Sequence, residues 1–300
     1  MSILSVRNVV KKYQDFLAVD GVDFEMPKGS ILGLLGPNGA GKTSLIRIIT
    51  TITKADSGTI LFDGEVLSQH HPTQIGYLPE ERGLYKKMKV GEQLIYLARL
   101  KGLKLAEAKT EIEQWLQRFE MEDWWNKKIE ELSKGMQQKV QFVSTIVHKP
   151  KLIILDEPFS GLDPINTNLM KQQIRLLNEA GTSVIFSTHR MEQVEEICEH
   201  IVLINGGKNI LDGEVSKIKD EYKDYIFRYD FLGDMPEHLL TGVDVRTKNN
   251  GSLVAHLPDN ERANDFMKQM MDAGLIITAF TELLPTLNEI FIKKVTEQHG

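Results

Sequence analysis

The order of apolar and polar positions predicts a chain that opens with strands and continues into a strand–loop–helix unit. Ile3–Val9 and Val22–Met26 alternate between apolar and polar residues, as half-buried strands do, and Tyr13–Leu17 is predicted as a loop between them. A continuous apolar run, Ser30–Leu35, then predicts a buried strand, and the apolar spacing of Thr43–Ile52 predicts a helix. The opening is therefore expected to be antiparallel.

The middle of the chain predicts an α/β core interrupted by helices. Val90–Lys128 is helical in its apolar spacing and rich in charged residues. Leu152–Leu155 and Ser183–Phe186 are short apolar runs of the buried-strand type, and a helical pattern over Asn166–Ala180 joins them. We therefore expect a helical insertion, about residues 84–145, within one α/β domain.

The pattern changes again beyond Ser216, where a small separate α+β domain is predicted. Short strands of alternating pattern are expected at Tyr225–Tyr229, Ser252–Leu257 and Leu275–Phe280, interleaved with helices at Glu261–Ala273 and Leu287–Val295. Thr286 and Glu289 have the spacing of a capping box, in which each side chain satisfies a backbone amide at a helix start. The predicted domains are residues 1–218 and 219–300.

Composition narrows the class of protein. Of 300 residues, 41% are hydrophobic and 26% charged, which excludes a disordered chain. No apolar stretch approaches the roughly 18 residues that cross a bilayer, and Met1–Val10 lacks the pattern of a signal peptide. The 36 Lys and Arg residues against 42 Asp and Glu give a net charge of −6, so nucleic acid is not an expected partner.

The cysteine and histidine residues give no indication of a disulfide, a reactive thiol or a metal site. The single cysteine, Cys198, excludes an internal disulfide, and its helical pattern with Val194 and Ile201 predicts a packed thiol rather than a reactive one. The eight histidines include no His-x-x-x-His pair. A metal held only by protein side chains is therefore not expected.

The first candidate functional residues lie in the loop between the buried strand and the helix that follows it. The loop matches the phosphate-binding pattern G-x-x-x-x-G-K-[ST] in full, and Ser44 follows it: Gly36-Pro37-Asn38-Gly39-Ala40-Gly41-Lys42-Thr43. Its glycines let amides point at a β-phosphate, and a helix N-terminus near Gly41 adds its positive dipole end. Lys42 is expected to reach the β- and γ-phosphates, and the Thr43 hydroxyl to bind Mg²⁺. The alternative is an ordinary glycine-rich turn, against which the flanking strand and helix argue.

Two carboxylates, Asp156 and Glu157, follow the apolar run Leu152–Leu155. A carboxylate at a strand end beside a phosphate loop can hold the shell of Mg²⁺, and this role is assigned to Asp156. Glu157, free of the metal, can polarise an attacking water. An Asp-Glu pair at a strand end is otherwise a common solvated turn, so both roles depend on the phosphate loop.

Three further segments resemble the ATP-binding subunits of ATP-binding-cassette (ABC) transporters. Leu132-Ser133-Lys134-Gly135-Met136-Gln137-Gln138 resembles the signature of that family. Ser160-Gly161-Leu162-Asp163 resembles its D-loop, and Ser187-Thr188-His189 resembles the segment with its switch histidine. With the phosphate loop and the Asp-Glu pair these make five ordered motifs, and the resemblance covers about residues 1–215.

The resemblance implies an α/β fold, the P-loop NTPase ABC cassette. That fold has a RecA-like core, an antiparallel β-subdomain and a helical insertion, to which this chain adds a small C-terminal α+β domain. Two cassettes close head to tail over two ATP molecules with Mg²⁺. The two cassettes are either two copies of this chain or this chain and a paralogue. Ser133 and Gly135 of one cassette then bind the γ-phosphate held by the other, and Asp163 joins the nucleotide contacts.

The resemblance also implies a motor for membrane subunits. Glu157 is the base, His189 holds the γ-phosphate and the water, and Tyr13 fits the aromatic that stacks on adenine, with Phe16 as the second candidate. Hydrolysis opens the dimer, and the motion passes through the helical insertion to polytopic permease subunits. The chain is therefore expected in the cytoplasm, peripheral on the inner face of the cell membrane.

This chain departs from the family pattern in its Q-loop and in its signature. The Q-loop glutamine, which touches Mg²⁺, is expected after Ile75-Gly76-Tyr77-Leu78-Pro79, but Glu80 stands there, followed by Glu81. A carboxylate also binds Mg²⁺, so Glu80 keeps the role. The signature has Lys134 in place of its first glycine and Met136 in place of a glutamine. Lys134 either adds charge near the partner's phosphate or is a solvated side chain.

The helical insertion and the C-terminal segment give weaker indications of function than the motifs do. Trp115, Trp124 and Trp125 are expected in the core of the helical insertion, whereas Tyr85 is the expected contact to a membrane subunit. The segment Leu284–Ile292 is similar to the tail of bacterial ABC exporters of the drug and sodium extrusion branch. That similarity implies a dimer-stabilising or regulatory module without a second catalytic centre.

Two other classes of function compete with this interpretation. A soluble ABC-type ATPase acting on ribosomes or nucleic acid usually has two cassettes or long coiled coils, whereas this chain has one cassette and fewer than a hundred residues between Lys42 and Ser133. A non-hydrolysing, ATP-gated module is expected to lack the base or the switch histidine, and Glu157 and His189 are present. Within the transporter class an importer stays open, because only the tail favours export.

Overall fold

The computed structural model describes residues 1–81 and 83–299 and separates into two compact units. The first unit is Met1–Val215 and the second begins at Ser216, three residues before the boundary predicted from the sequence. Among the helices of the described residues, none is long and apolar enough to cross a membrane.

The first unit contains both strands and helices. In chain order these are β1 (Ser2–Tyr13), β2 (Phe16–Pro27), β3 (Ile31–Leu35), α1 (Lys42–Ile49), β4 (Ser57–Phe62), β5 (Glu65–Val66), β6 (Ile75–Leu78), α2 (Val90–Leu100), α3 (Leu105–Arg118), α4 (Lys134–Ile146), β7 (Leu152–Asp156), α5 (Pro164–Glu179), β8 (Ser183–Thr188), α6 (Met191–Ile197), β9 (His200–Asn205) and β10 (Lys208–Glu214). Short 3-10 turns lie at His71–Gln74, Glu122–Trp124 and Ile129–Glu131.

An antiparallel sheet with the order β2-β1-β4-β5 forms the opening of the chain. Strands β1 and β2 make a long hairpin in which Tyr13 pairs directly with Phe16. The predicted loop over Tyr13–Leu17 is therefore wrong, since only Gln14 and Asp15 lie between the strands. Gln14 adopts a positive φ of 52°, and such tight turns match the twist of the strands they join, so both strands continue to the turn.

The central sheet of the first unit has the order β10-β9-β3-β8-β7-β6. Strands β3, β6, β7, β8 and β9 are parallel, and β10 is antiparallel at one edge. Every residue of β3 and of β7 is buried, as in parallel strands covered on both faces. Because parallel strands end at the same edge, the segments that follow β3, β6, β7 and β8 meet there.

Helix α6 ends earlier than the helical pattern around Cys198 predicts. The helix stops at Ile197, and Ile201 lies on β9, so the apolar spacing combined a helix with the start of a strand. Cys198 is buried at the helix end, where its amide donates to the Val194 carbonyl oxygen over 2.8 Å. Burial raises the pKa of the Cys198 thiol. The prediction of a packed thiol is confirmed.

The predicted helical insertion contains α2, α3 and α4. Trp115 is buried on α3, and its ring lies 6.2 Å from that of Phe119, which contacts Phe142 on α4 at 5.8 Å. This aromatic cluster forms part of the core of the insertion. Trp124 and Trp125 are only half-buried, so the prediction of a core position holds for Trp115 alone.

The second unit is a four-stranded antiparallel sheet with helices. Its elements are α7 (Val215–Glu221), which starts at the boundary, then β11 (Ile226–Leu232), β12 (Asp244–Asn249), β13 (Ser252–His256), α8 (Asn260–Asp272), β14 (Ile276–Leu283) and α9 (Leu287–His299). The strand order is β12-β13-β11-β14. Tyr229 on β11 is buried against Phe266 of α8, with ring centroids 5.3 Å apart.

The start of α9 confirms the predicted capping box. The Thr286 amide donates to Glu289 Oε2 over 2.7 Å, and the Glu289 amide donates to Thr286 Oγ1 over 3.2 Å. Strand β12 was not predicted, because Val245 is its only apolar residue and no apolar alternation is visible in its sequence.

Candidate functional site

The phosphate loop connects β3 to α1 and depends on two glycines. Gly36 has a φ of 146° and Gly41 a φ of 110°, conformations that other residues rarely adopt. A Cβ at Gly36 would lie 2.1 Å from the Ile204 carbonyl oxygen, and one at Gly41 would lie 2.2 Å from that of Ala18. Both positions therefore require glycine for conformation and for space. Helix α1 begins at Lys42, which confirms the predicted N-terminus near Gly41.

The amine of Lys42 is held by the loop itself. Its Nζ donates to the Gly36 carbonyl oxygen over 2.7 Å and to that of Pro37 over 3.1 Å. Burial lowers the pKa of Lys42, while the charges of Asp156, Glu157 and Glu80 act in the opposite direction. These contacts place a cation inside the loop, where an anionic ligand would meet it.

A cleft of about 310 Å³ opens around the loop. The loop contributes residues 38–44, which include the predicted Asn38, Gly39, Ala40, Thr43 and Ser44. Other elements contribute Phe16, Ala18, Glu80, Asp156 and Glu157. Gly36 and Pro37 are not among the residues that line the cleft, and their carbonyl oxygens accept hydrogen bonds from Lys42.

Asp156 ends β7 at the wall of this cleft. It is 4% exposed, and its Oδ1 accepts a hydrogen bond from Ser187 Oγ over 2.8 Å. Burial raises the pKa of Asp156, and repulsion from Glu80 and Glu157 adds to that effect, while the Ser187 bond opposes it. A cation in the cleft would stabilise the ionised form of Asp156, because it would offset both the burial of the carboxylate and the repulsion from its neighbours.

Glu157 is the first residue after β7 and turns its side chain towards the end of β8. Its φ of 48° lies in the left-handed region, a strained conformation often found at functional sites. Thr188 Oγ1 donates to Glu157 Oε2 over 3.1 Å, and the His189 amide donates to Oε1 over 2.9 Å. Nδ1 of His189 lies 2.6 Å from the same Oε1. The predicted base and switch histidine are thus in direct contact.

Glu80 brings a third carboxylate into the cleft beside Asp156 and Glu157. In the part of the chain that the structure describes, no cluster of His, Cys, Asp or Glu side chains has the geometry of an all-protein metal site. Mg²⁺ at nucleotide sites usually keeps several waters and takes phosphate oxygens as ligands. Oxygen donors from Thr43, Asp156 and Glu80 fit an ion of that kind.

The signature lies at the start of α4 and outside this cleft. Ser133 is the N-cap of α4, and its Oγ accepts a hydrogen bond from the Met136 amide over 3.2 Å. Ser133 and Lys134 are exposed. The described residues that line the cleft include neither Ser133 nor Gly135. The chain therefore does not bring its own signature to its own phosphate loop.

The D-loop lies against the signature and not in the cleft. A Cβ at Gly135 would come within 3.4 Å of the Gly161 carbonyl oxygen. Asp163 caps α5, where its Oδ1 accepts a hydrogen bond from the Asn166 amide over 3.0 Å. That hydrogen bond lowers the pKa of the exposed Asp163 carboxyl. Within one chain, Asp163 has a structural role as a helix cap.

The two candidate aromatics have different positions. Phe16 is 60% exposed and lines the cleft beside Ala18, whereas Tyr13 is not among the described residues that line it. Lys11 Nζ lies 5.4 Å from the centre of the Tyr13 ring. The structure therefore places Phe16, the second candidate, at the cleft, because the hairpin continues to its turn and carries Phe16 to the loop.

Two residues that orient the carboxylates have no separate prediction from the sequence. Ser187 and Thr188 were noted only as neighbours of His189, yet each donates a hydrogen bond to one carboxylate at the end of β7. The signal that could have found them is strand adjacency, since Asp156 pairs with Ser187 across the parallel ladder. Strand order cannot be read from the motif alone.

Comparison with known proteins gives two family matches that together span most of the chain. A model described as ABC transporter matches residues 19–160. A model described as the C-terminal domain of DrrA1-3-like ATP-binding proteins matches residues 213–295. The second match coincides with the second compact unit.

Individual relatives and structures agree with these models. The chain is 44% identical over 296 residues to YhaQ, an ABC transporter ATP-binding protein of Bacillus subtilis, with 98% of each chain covered. It is 34% identical over 222 residues to the Nod factor export ATP-binding protein I of Cupriavidus metallidurans, with 73% of each covered. A solved ATP-binding subunit of an ABC transporter superposes with a TM-score of 0.69 at 28% identity, covering 74% of this chain and 93% of that one.

Proposed function

Because the chain belongs to the ATP-binding proteins of ABC transporters, a family that hydrolyses ATP to power transport, we propose that it drives an exporter through separate membrane subunits. The observation that carries the proposal is the meeting of Lys42, Asp156, Glu157 and His189 at the carboxyl edge of one parallel sheet. That edge is where open α/β sheets bind their ligands.

The phosphate loop binds and orients ATP in this proposal. The amides of the loop and the N-terminus of α1 hold the β-phosphate, and Lys42 moves from the loop carbonyls to the β- and γ-phosphates. Phe16 offers its exposed ring to the adenine base. These contacts fix the γ-phosphate beside Glu157.

The carboxylates perform the chemical step. Glu157 accepts the proton of the attacking water, and Thr188 and His189 hold its carboxylate in place. Thr43, Asp156 and Glu80 would hold Mg²⁺, which when bound would supply positive charge to neutralise the phosphates. His189 stays within reach of both the base and the γ-phosphate.

A second cassette completes the site. Ser133 and Gly135 do not line the cleft of their own chain, and they lie at an exposed helix N-terminus suited to a phosphate from elsewhere. We infer that two copies close head to tail, so that each signature meets the ATP of the other copy. ATP then holds the dimer together, and hydrolysis releases it.

The surface for the membrane subunit is a cleft of about 390 Å³ between the central sheet and the helical insertion. Ile52 and Leu100 at its border are 62% and 63% exposed, and Leu84 and Leu97 lie in its wall. Tyr85, next to Leu84, is 53% exposed. An apolar surface of this kind is typical of a protein interaction site. Bound there, the chain lies peripherally on the inner face of the membrane.

The proposed direction of transport, export, is supported by similarity to other proteins. The 34% identical protein of Cupriavidus metallidurans carries export in its name, and the second unit matches the C-terminal domain of DrrA1-3-like proteins. Both similarities favour the drug and sodium extrusion branch over an importer.

The proposal is tested with the tagged variant Glu157→Gln. Loss of the base should lower turnover by about 10²- to 10⁴-fold while ATP still binds, so an ATP-bound dimer should accumulate. Light scattering after size-exclusion chromatography, with and without ATP, reports the mass. A monomer in ATP at high protein concentration would contradict the paired cassette.

The same variant tests the membrane partner. We expect its isolation with ATP from solubilised membranes of its own cell to bring a polytopic membrane protein in stoichiometric amount. Isolation of the variant Lys42→Ala, which should bind ATP poorly, is the matched control. Recovery of Glu157→Gln with ribosomal proteins or nucleic acid and no membrane protein would overturn the transporter assignment.

A further inference from the structure

Two of the positions at which this chain departs from the family pattern carry opposite charges. Glu80 stands in place of the Q-loop glutamine, and Lys134 stands in place of the first glycine of the signature. Each departure replaces a neutral residue with a charged one. Glu80 lines the nucleotide cleft and Lys134 lies in the signature, the two surfaces that a head-to-tail dimer would bring together.

Glu80 adds negative charge to a cleft that is already acidic. Among the described residues that line the cleft, three are carboxylates, Glu80, Asp156 and Glu157, and one is an amine, Lys42. Repulsion from Glu80 contributes to the raised pKa of Asp156. Lys42 attracts Glu80, but in the proposed function its amine moves to the phosphates. Glu80 is exposed, and no other described side chain forms an ion pair with it.

Lys134 is equally unfavourable within its own chain. It is the exposed first residue of α4, where the helix dipole disfavours a cation, and the first turn of α4 has no acidic residue. The carboxylates that precede it, Glu130 and Glu131, are engaged by Lys128. Lys128 Nζ lies 3.7 Å from Glu130 Oε1, and the Lys128 amide donates to Glu131 Oε2 over 2.9 Å. Within the described part of the chain, the Lys134 amine forms no ion pair.

We propose that the Lys134 amine of one copy pairs with the Glu80 carboxylate of a second copy when ATP closes the dimer. The inference rests on the proposed function, in which Ser133 and Gly135 of one copy reach the γ-phosphate in the cleft of the other. Lys134 lies between these two residues, and its long, flexible side chain can extend past the phosphate. Glu80 has two carboxylate oxygens, so one can face Mg²⁺ while the other accepts from Lys134.

The pair makes the closed interface self-complementary. Each copy supplies one Glu80 and one Lys134, so a head-to-tail dimer of identical copies contains the contact twice and leaves neither charge alone. A paralogue with the usual glutamine and glycine at these positions would leave both charges of this chain unpaired. An unpaired charge in a closed interface is costly, so the two residues select a second copy over such a paralogue.

A double-mutant cycle on the ATP-bound dimer tests the contact. Every protein in the cycle carries Glu157→Gln to prevent hydrolysis, and sedimentation velocity with ATP and Mg²⁺ gives the dimer dissociation constant. Lys134→Met removes the charge and keeps a long side chain that suits a helix. We expect it to weaken the dimer by about tenfold or more when Glu80 is present, and by less than about threefold when Glu80→Gln is present as well.

The second background also shows that Lys134→Met folds and dimerises. An equal loss in both backgrounds would mean that Lys134 meets the phosphate and not Glu80, and no loss in either would mean that it is a solvated side chain. Both results would overturn the inference. Lys127→Met is the matched control, because it also removes one exposed lysine from the helical insertion, and it should leave the dissociation constant unchanged. A loss equal to that of Lys134→Met would show that net charge alone is responsible.

A mixing experiment tests the choice of partner. A copy with both Glu80→Gln and Lys134→Met is neutral at the two positions, as a paralogue of the usual pattern would be. Mixed in ATP with a copy that keeps both charges, it should form fewer mixed dimers than random pairing gives, because each mixed dimer contains two unpaired charges. Native mass spectrometry of differently tagged copies counts the species. Random pairing would refute the selection of a second copy.

Failure of this inference differs from failure of the proposed function. If the Glu157→Gln chain with no other change stays monomeric in ATP, the head-to-tail dimer is wrong and the Lys134–Glu80 contact is wrong with it. If that dimer forms and Lys134→Met weakens it equally with and without Glu80→Gln, the paired cassettes stand and only the contact is refuted.

Discussion

Glu157 and His189 form one unit at the ends of neighbouring strands. Nδ1 of His189 lies 2.6 Å from Glu157 Oε1, and the His189 amide donates to the same oxygen over 2.9 Å. With the proton on Nδ1, the ring donates to the carboxylate, and Nε2 is left to face a ligand. The histidine therefore orients the Glu157 carboxylate through both its ring and its amide.

The first prediction concerns that contact. His189→Ala removes the ring but keeps the amide that binds Glu157, so ATP affinity should change little while kcat falls by about 10²-fold or more. Steady-state ATPase assays with a separate nucleotide-binding titration would measure the two effects. A fall in affinity equal to the fall in kcat would mean that His189 binds ground-state ATP instead.

The second prediction distinguishes the two aromatics. Phe16 lines the nucleotide cleft and Tyr13 does not, so Phe16→Ala should weaken ATP binding by about 1–3 kcal/mol, the usual range for stacking on a base. Tyr13→Ala is the matched control and should change affinity by no more than about twofold. A larger loss from the Tyr13 variant, measured by calorimetry, would restore the order that the sequence suggested.

The third prediction concerns the carboxylate that stands where the family has glutamine. If Glu80 serves only as an oxygen donor towards Mg²⁺, Glu80→Gln should keep ATPase activity within roughly tenfold and raise the Mg²⁺ concentration needed for half-maximal rate. Glu81→Gln, at the exposed neighbour, should leave both values unchanged. Complete loss of turnover in the Glu80 variant would mean that its negative charge is part of the mechanism.

The fourth prediction is a pH dependence centred on His148. Burial lowers the pKa of His148 to about 4, and the charge of Lys101 acts in the same direction. In the unfolded chain the ring protonates near its ordinary pKa of about 6.5, so protons favour unfolding between roughly pH 6.5 and pH 4. As the pH is lowered through that window, the free energy of unfolding should decrease by about 3 kcal/mol.

The variant His148→Leu should lose that part of the pH dependence. Urea unfolding followed by tryptophan fluorescence reports on the first unit alone, because Trp115, Trp124 and Trp125 all lie in it. His70→Leu, which changes an exposed histidine, should keep the profile of the wild type. Parallel profiles for the wild type and the His148 variant would contradict the prediction.

The sequence by itself determined the local parts of this protein. The phosphate loop, the strand before it and the helix after it are contiguous, so backbone conformation and hydrogen bonding are encoded within a few residues. The family, the α/β class and the capping box at Thr286 followed from such local patterns. The apolar runs within β3, β7 and β8 were also predicted from the sequence, because strands buried on both faces are apolar along most of their length.

Only the tertiary structure decided which distant residues meet. Ser187 reaches Asp156 because β7 and β8 are neighbours in the sheet, and Phe16 reaches the cleft because a two-residue turn fixes the register of the first hairpin. The exclusion of Ser133 from its own cleft likewise depends on how the insertion folds. These relations join residues far apart along the chain, and strand order and register depend on packing over the whole sheet, which no local pattern contains.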